Sequence, residues 1–211
     1  MAPHLRSSRL GLRFGGLLAA ALCVAAGISS CADPVHDQQV AALGPEIAGI
    51  PQGEFHRAGQ PCTVCHGPEG PAKNEFSLAG TIFWAGGVGQ YTNNAIGVNQ
   101  ASVSVEDSLG VPTTIATNCV GNFYVPKAQQ GFAFPILVSV YAGPNNEFTA
   151  KMTTQISRAT SCGTCHTDPV NYNAVGHIFA SGGAPPTALV AANNACPVNP
   201  DLAGSNGTGG Q

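Results

Sequence analysis

The sequence is poor in charge: 9% of its 211 residues are Asp, Glu, Lys or Arg. That excludes a charged, helical protein and leaves few cations for a phosphate backbone. No apolar run is long enough for a comfortable membrane span; Leu17 to Ile28 falls short of the roughly 20 residues required. No long amphipathic helical pattern appears between residues 78 and 154. No serine, histidine and acid combination comes with a supporting motif, so nothing suggests a hydrolase or a transferase.

What the chain has is glycine, 27 residues of it, and one short motif written twice. Cys62-Thr63-Val64-Cys65-His66 recurs as Cys162-Gly163-Thr164-Cys165-His166. C-x-x-C-H is the attachment signature of c-type haem. Two thiols staple the porphyrin at two edges, and the following imidazole reaches the iron. Two C-x-x-C pairs alone would also suit a four-thiolate zinc site or redox disulfides. The histidines favour haem, because the chain has only 6 and a zinc site needs none at that place in both copies. The expected cofactors are therefore two covalently attached haem c groups, on Cys62, Cys65, Cys162 and Cys165, with His66 and His166 as proximal ligands.

The N-terminus carries His4, Arg6, Arg9 and Arg13, then the apolar run, then Ser29-Ser30-Cys31. A basic region, a short apolar region and small residues read as a signal peptide over 1–30. Ile28-Ser29-Ser30-Cys31 resembles the lipobox of bacterial lipoproteins, which implies lipidation at Cys31; the alternative is ordinary cleavage nearby with Cys31 free. The expected location is extracytoplasmic, anchored by lipid at a bacterial membrane. Without 1–30, five basic residues (Arg57, Lys73, Lys127, Lys151 and Arg158) face 11 acidic ones, a net charge of −6. Such a surface repels nucleic acid. Of the remaining cysteines, Cys23 leaves with the signal, and Cys119 and Cys196 form an even pair in an oxidising compartment, where a disulfide is expected. The alternative is two separate thiols.

Residues 31–50 read as a linker, with room for one helical turn near Val40 to Leu43. Residues 51–77 form a loop-rich first haem segment. Strand patterning then takes over. Six strands are expected, at Leu78 to Trp84, Ala101 to Glu106, Val111 to Thr117, Val120 to Val125, Phe134 to Tyr141 and Glu147 to Thr154. Asp107-Ser108-Leu109-Gly110 is a hairpin turn; with Glu106 it is a solvated turn or, alternatively, a weak cation site. Short strands between Gly, Pro and Asn turns make a mainly β chain with a single sandwich over 78–154. Residues 155–199 form the second loop-rich haem segment, with a brief helix over Ala188 to Ala195, and 200–211 a flexible tail. An even number of antiparallel strands returns the chain to its starting end, which makes the two haem segments neighbours.

Sixth ligands for the irons come from His36, His56, His177, Met152 or solvent. His56 and His177 flank the motifs in loops and are the expected pair, with the haem each serves left open. His36 lies in the linker, and Met152 falls in a strand.

Two resemblances follow. Leu78-Ala79-Gly80-Thr81-Ile82-Phe83, Gly97 to Val105, Thr114 to Thr117, Gly121-Asn122-Phe123-Tyr124 and Ile136 to Val140 resemble the carboxypeptidase regulatory-like (transthyretin-like, or prealbumin-like) β-sandwich domain. Cys119 departs from that family's T-D-x-x-G-x-F passage. The family's domain is non-catalytic, which implies a scaffold or contact surface. The paired motifs with the lipobox resemble a dihaem c-type cytochrome lipoprotein, which implies electron relay with a redox protein partner and no catalysis. A haem peroxidase, which needs one open iron position, and a surface binding module using Trp84, Tyr91 or Tyr141 are the alternatives.

Overall fold

The computed structural model describes residues 33–46, 53–84, 97–167 and 174–181. The chain divides into two compact units, residues 1–38 and 39–211, and every strand belongs to the second. The boundary falls within a helix, Pro34–Ala42, which is longer than the single turn expected. Its start is set locally. Asp33 caps it, accepting the Val35 and His36 N–H groups at 3.0 Å each, and Pro34 takes the first helical position, where no N–H is needed. None of its residues is buried.

The second unit is mainly β, with two sheets. The first has the order β4-β1-β7. Its centre is β1 (Phe76–Phe83), paired antiparallel with β4 (Asn122–Pro126) and parallel with the two-residue β7 (Ile178–Phe179). The second sheet is antiparallel throughout, in the order β3-β2-β5-β6, from β2 (Ser102–Glu106), β3 (Pro112–Ala116), β5 (Leu137–Ala142) and β6 (Phe148–Lys151).

Period-two alternation explains the second sheet. Val103 and Val105 of β2 and Val138 and Val140 of β5 are buried, while Ser102 and Ser104 are only half-buried. These side chains join Leu78 and Ile82 of β1, Trp84 just after it and Phe123 of β4 in one apolar cluster, so both sheets feed a single core. Complete burial of a large apolar side chain contributes about 2 kcal/mol. Met152 also packs against this cluster, and Trp84 lies within it.

Strand β1 is buried along both faces from Ser77 to Phe83. Leu78 and Ile82 enter the core. On the odd face, Thr81 Oγ1 accepts the Gly59 N–H at 2.8 Å, which brings the approach to the first cysteine motif onto the strand. The Asp107 turn is closed by its own carboxylate, which accepts the N–H groups of Leu109, Val111 and Ala133. These hydrogen bonds hold the Asp107 carboxyl below its ordinary value.

Candidate functional site

The first motif begins in a short helical turn, Thr63–His66, preceded by Cys62. The second begins in a tight 3-10 turn, Cys162–Thr164. The two are neighbours, and they meet along the edge of β1 left free by β4. There the Ala79 N–H donates to Thr160 O at 2.9 Å, and Ala79 pairs with Ser161 in a parallel bridge. Further along the same edge the Ala180 N–H donates to Phe83 O at 2.9 Å, next to the β7 pairing. The chain therefore touches β1 twice, and the second motif is the excursion between the two contacts.

Two glycines permit this approach. A Cβ added at Gly163 would fall 2.6 Å from Gln60 O and 2.9 Å from Pro61 N, so the motif backbones are in direct contact. A Cβ at Gly80 would fall 2.8 Å from Cys162 Cβ and 2.9 Å from the Phe123 ring. The Thr160 and Thr63 hydroxyls add a contact at 3.3 Å across the junction.

Cys62, Cys65, Cys162 and Cys165 are free thiols. Cys162 is buried, Cys62 and Cys65 are half-buried, and Cys165 is exposed. Burial pushes the Cys62 thiol up to about 11 and the Cys162 thiol up to about 12; at Cys162 the nearby Cys62 charge adds to the effect. Both sites disfavour a thiolate. A thioether carries no charge and meets no such penalty, so these positions suit sulfurs added across a carbon–carbon double bond. Cys119 is disulfide-bonded, and its expected partner Cys196 lies outside the described residues, as does Cys31.

Both motif histidines have the same hydrogen-bond arrangement. His66 Nδ1 lies 2.7 Å from Asn74 O, and His166 Nδ1 lies 3.0 Å from Gly176 O. A carbonyl only accepts, so each Nδ1 carries the proton and each Nε2 keeps its lone pair. Nε2 is thereby prepared as a ligand atom in both.

His56 joins the first motif. Its ring centroid lies 5.9 Å from that of His66, with the planes 35° apart. Its own Nδ1 lies against both ends of Gly53, within reach of the Gly53 O and accepting the Gly53 N–H at 3.2 Å. The turn that carries it is held from two sides. Asn122 Nδ2 donates to His56 O at 3.1 Å and to Glu54 O at 3.3 Å, and Asn118 Nδ2 donates to Glu54 O at 2.6 Å. Arg57 donates to Glu46, Gln60 and the carbonyls of Leu43 and Gly44. Asn118 and Asn122 are residues whose part in the site sequence reasoning missed. Turn chemistry places them at a bend, but only the fold reveals that the bend faces His56.

His177 lies elsewhere. Its ring contacts Phe83 at 4.5 Å and Phe179 at 6.3 Å, and its Nε2 is 3.1 Å from the Cβ position of Gly59. It is thus nearer to the approach of the first motif than its place in the chain suggests. Met152 is occupied in the core. Of the aromatics that a surface binding module would turn outward, Trp84 is buried, Tyr141 is half-buried and Tyr91 lies outside the described residues. Among the described residues no three His, Cys, Asp or Glu side chains converge as the ligands of a bare metal ion. A porphyrin iron asks the protein only for axial donors, because the ring supplies the other four.

Comparison of the chain with protein-family models, with curated proteins and with solved structures finds no match.

Proposed function

We propose that the chain is an exported dihaem c-type cytochrome that relays electrons between redox partners outside the cytoplasm. One observation carries the reading: both C-x-x-C-H histidines donate Nδ1–H to a backbone carbonyl and keep Nε2 for a ligand. A haem bound here would supply one-electron chemistry at its iron. The chain's own part is to hold the group. Cys62, Cys65, Cys162 and Cys165 take the porphyrin edges, and His66 and His166 are the proximal ligands. The S–H of each cysteine adds across a vinyl group, with no leaving group and no oxidant.

His56 is the sixth ligand at the first site. Two imidazoles bound at about 2 Å on opposite sides of one metal have centroids roughly 6 Å apart. His56 and His66 lie 5.9 Å apart, and Asn74 O holds the proton of His66 on Nδ1. His56 and His66 together would leave a haem iron held between them no position for a small ligand, which suits electron transfer. The β-sheets, read as one sandwich, are the pedestal, and the contact between Gly163 and Gln60 makes the haems neighbours. Cys31 carries lipid, and the partner is a redox protein.

The placement of His177 on Phe83, with no ring contact to His166, favours a second reading for the other iron. With its sixth position open, peroxidase chemistry would become available there. Electronic spectra of protein matured in a host that attaches c-type haem test both readings. Two haems per chain, both low-spin when oxidised, support the electron carrier with His177 as the remaining ligand. One high-spin haem supports the second reading. Stoichiometric zinc with no Soret band sinks both.

A further inference from the structure

We propose that Phe76 is a positioning residue that fixes the plane of the His66 ring. The inference rests on the reading of His66 as an iron ligand and goes beyond it, since it concerns a side chain with no place in the C-x-x-C-H pattern.

A hydrogen bond from Nδ1 to Asn74 O fixes one atom of the His66 ring and its tautomer. It leaves the ring free to tilt about that atom. A flat surface against the ring face removes the tilt, and Phe76 supplies it. The two rings are stacked at 4.1 Å between centroids with planes 10° apart. Phe76 is itself held from its other face by Tyr124, at 4.8 Å and 18°. The backbone beneath is anchored as well. Phe76 opens β1 opposite Pro126, the Lys127 N–H donates to Glu75 O at 2.8 Å, and Lys127 Nζ pairs with the Glu75 carboxylate.

The segment Asn74 to Phe76 thus contributes both the acceptor that sets ring rotation and the face that sets ring tilt. Each comes from a stretch pinned to β4. An offset-stacked aromatic pair adds stability beyond area burial, so the arrangement resists thermal tilting. At His166, Nδ1 meets Gly176 O, and among the described residues no ring stacks on it. The orientation of an axial imidazole tunes the iron it binds, as outer-shell partners of metal ligands generally do. The plane of the His66 ring is therefore fixed from two directions.

The test uses the full chain in two forms. In the haem-free protein, NMR should show the His66 ring protons shifted upfield by the stacked ring. Phe76→Leu should return them downfield and leave the His166 protons unmoved. In the haem-loaded protein, electron paramagnetic resonance of Phe76→Leu should move the signal of the haem at His66 and leave the other in place. That signal is identified as the one retained by a Cys162→Ala/Cys165→Ala double variant. Phe76→Tyr, which keeps the ring, should restore the original signal. If Phe76→Leu does not fold, Tyr124→Leu frees the far face of Phe76 and should produce a smaller shift of the same sign. Unmoved His66 protons overturn the proposal, as do equal changes at both haems. A correctly matured chain without haem overturns the cytochrome reading alone, and the haem-free spectra then still decide the role of Phe76.

Discussion

The α-carbon of Gly163 rests against the carbonyl oxygen of Gln60, so closely that an added methyl group would fall 2.6 Å from it. These residues are 103 positions apart, and each stands at the first cysteine of its motif, Gly163 just after Cys162 and Gln60 two before Cys62. Their contact joins the two halves of the site. Gly163→Ala should force the backbones apart and cost about 1–3 kcal/mol, the usual range for overpacking. Chemical denaturation of the haem-free chain measures this. An unchanged midpoint would mean that the motifs are not in contact.

Asn122 ties the His56 turn to β4 and also accepts the Thr81 hydroxyl at 2.7 Å. Asn122→Ala leaves that hydroxyl and the His56 carbonyl short of a partner in a largely buried place, while Glu54 O keeps Asn118. The expected loss is about 1–3 kcal/mol. In the haem-loaded protein the same variant should convert part of one haem from low-spin to high-spin, as His56 is released. Visible spectra read this directly, and retention of a fully low-spin spectrum would argue against His56 as a ligand.

The thiols of Cys62 and Cys162 are raised above the ordinary value of 9.0 by burial. Above pH 9 the unfolded chain releases these protons while the folded chain keeps them. The unfolded state then binds fewer protons, so stability falls with rising pH. The loss begins near pH 9 and is complete only above about 11 for Cys62 and about 12 for Cys162. Each thiol contributes at most about 1.4 kcal/mol per pH unit within its window. The haem-free wild type should lose stability over this range more steeply than Cys62→Ala/Cys162→Ala. A haem-loaded chain, with thioethers in place of thiols, should lack that part of the slope.

Asp107 closes its turn with three backbone N–H groups, and these lower its carboxyl value. A lowered value gives stability present above the ordinary 3.8 and lost as pH falls through the folded value. The group is half-buried in a surface turn, so the effect is local. Asp107→Ala should speed amide hydrogen exchange at Leu109 and Val111 and leave Val103 and Val105 protected. Uniformly faster exchange across β2 would show instead that the turn supports the whole sheet.

Removing the second attachment pair tests the independence of the two sites. Cys162→Ala/Cys165→Ala should retain one haem on Cys62 and Cys65, and its ligation should keep the low-spin signature of His56 and His66. The intact mass and a reduced-minus-oxidised spectrum measure this. Loss of both haems would mean that neither half binds without the other.

Much of the strand plan is legible because it is local. Val103, Val105, Val138 and Val140 alternate with polar or smaller neighbours, and a two-residue period requires only adjacent sequence. The six expected strands all occur, with ends shifted by a few residues: the first begins at Phe76 instead of Leu78, and the fifth at Leu137 instead of Phe134. Strand β7 escapes because two residues, Ile178 and Phe179, are too few to display a period. Its existence depends on an unpaired edge of β1 nearly 100 residues earlier. The helix Pro34–Ala42 escapes for a different reason: its apolar residues form no stripe, and its start lies in the cap at Asp33.

The site divides in the same way. Covalent chemistry has fixed spacing, so Cys62, Cys65, His66 and their counterparts are readable as a string of letters. The polar surroundings of a ligand have no such spacing. Asn74 and Gly176 act through backbone carbonyls, which every residue has, and Asn118 and Asn122 reach Glu54 and His56 in the turn from 60 or more residues away. Sequence alone therefore determined the two motifs, the strand-rich middle and the candidate histidines, because each rests on side-chain type at short range. Only the tertiary structure decided that the motifs touch, that His56 and not His177 faces His66, and that Phe76 lies flat against it. Those are contacts between distant segments, and they come from the edge that β1 leaves free and the core that burial assembles around it.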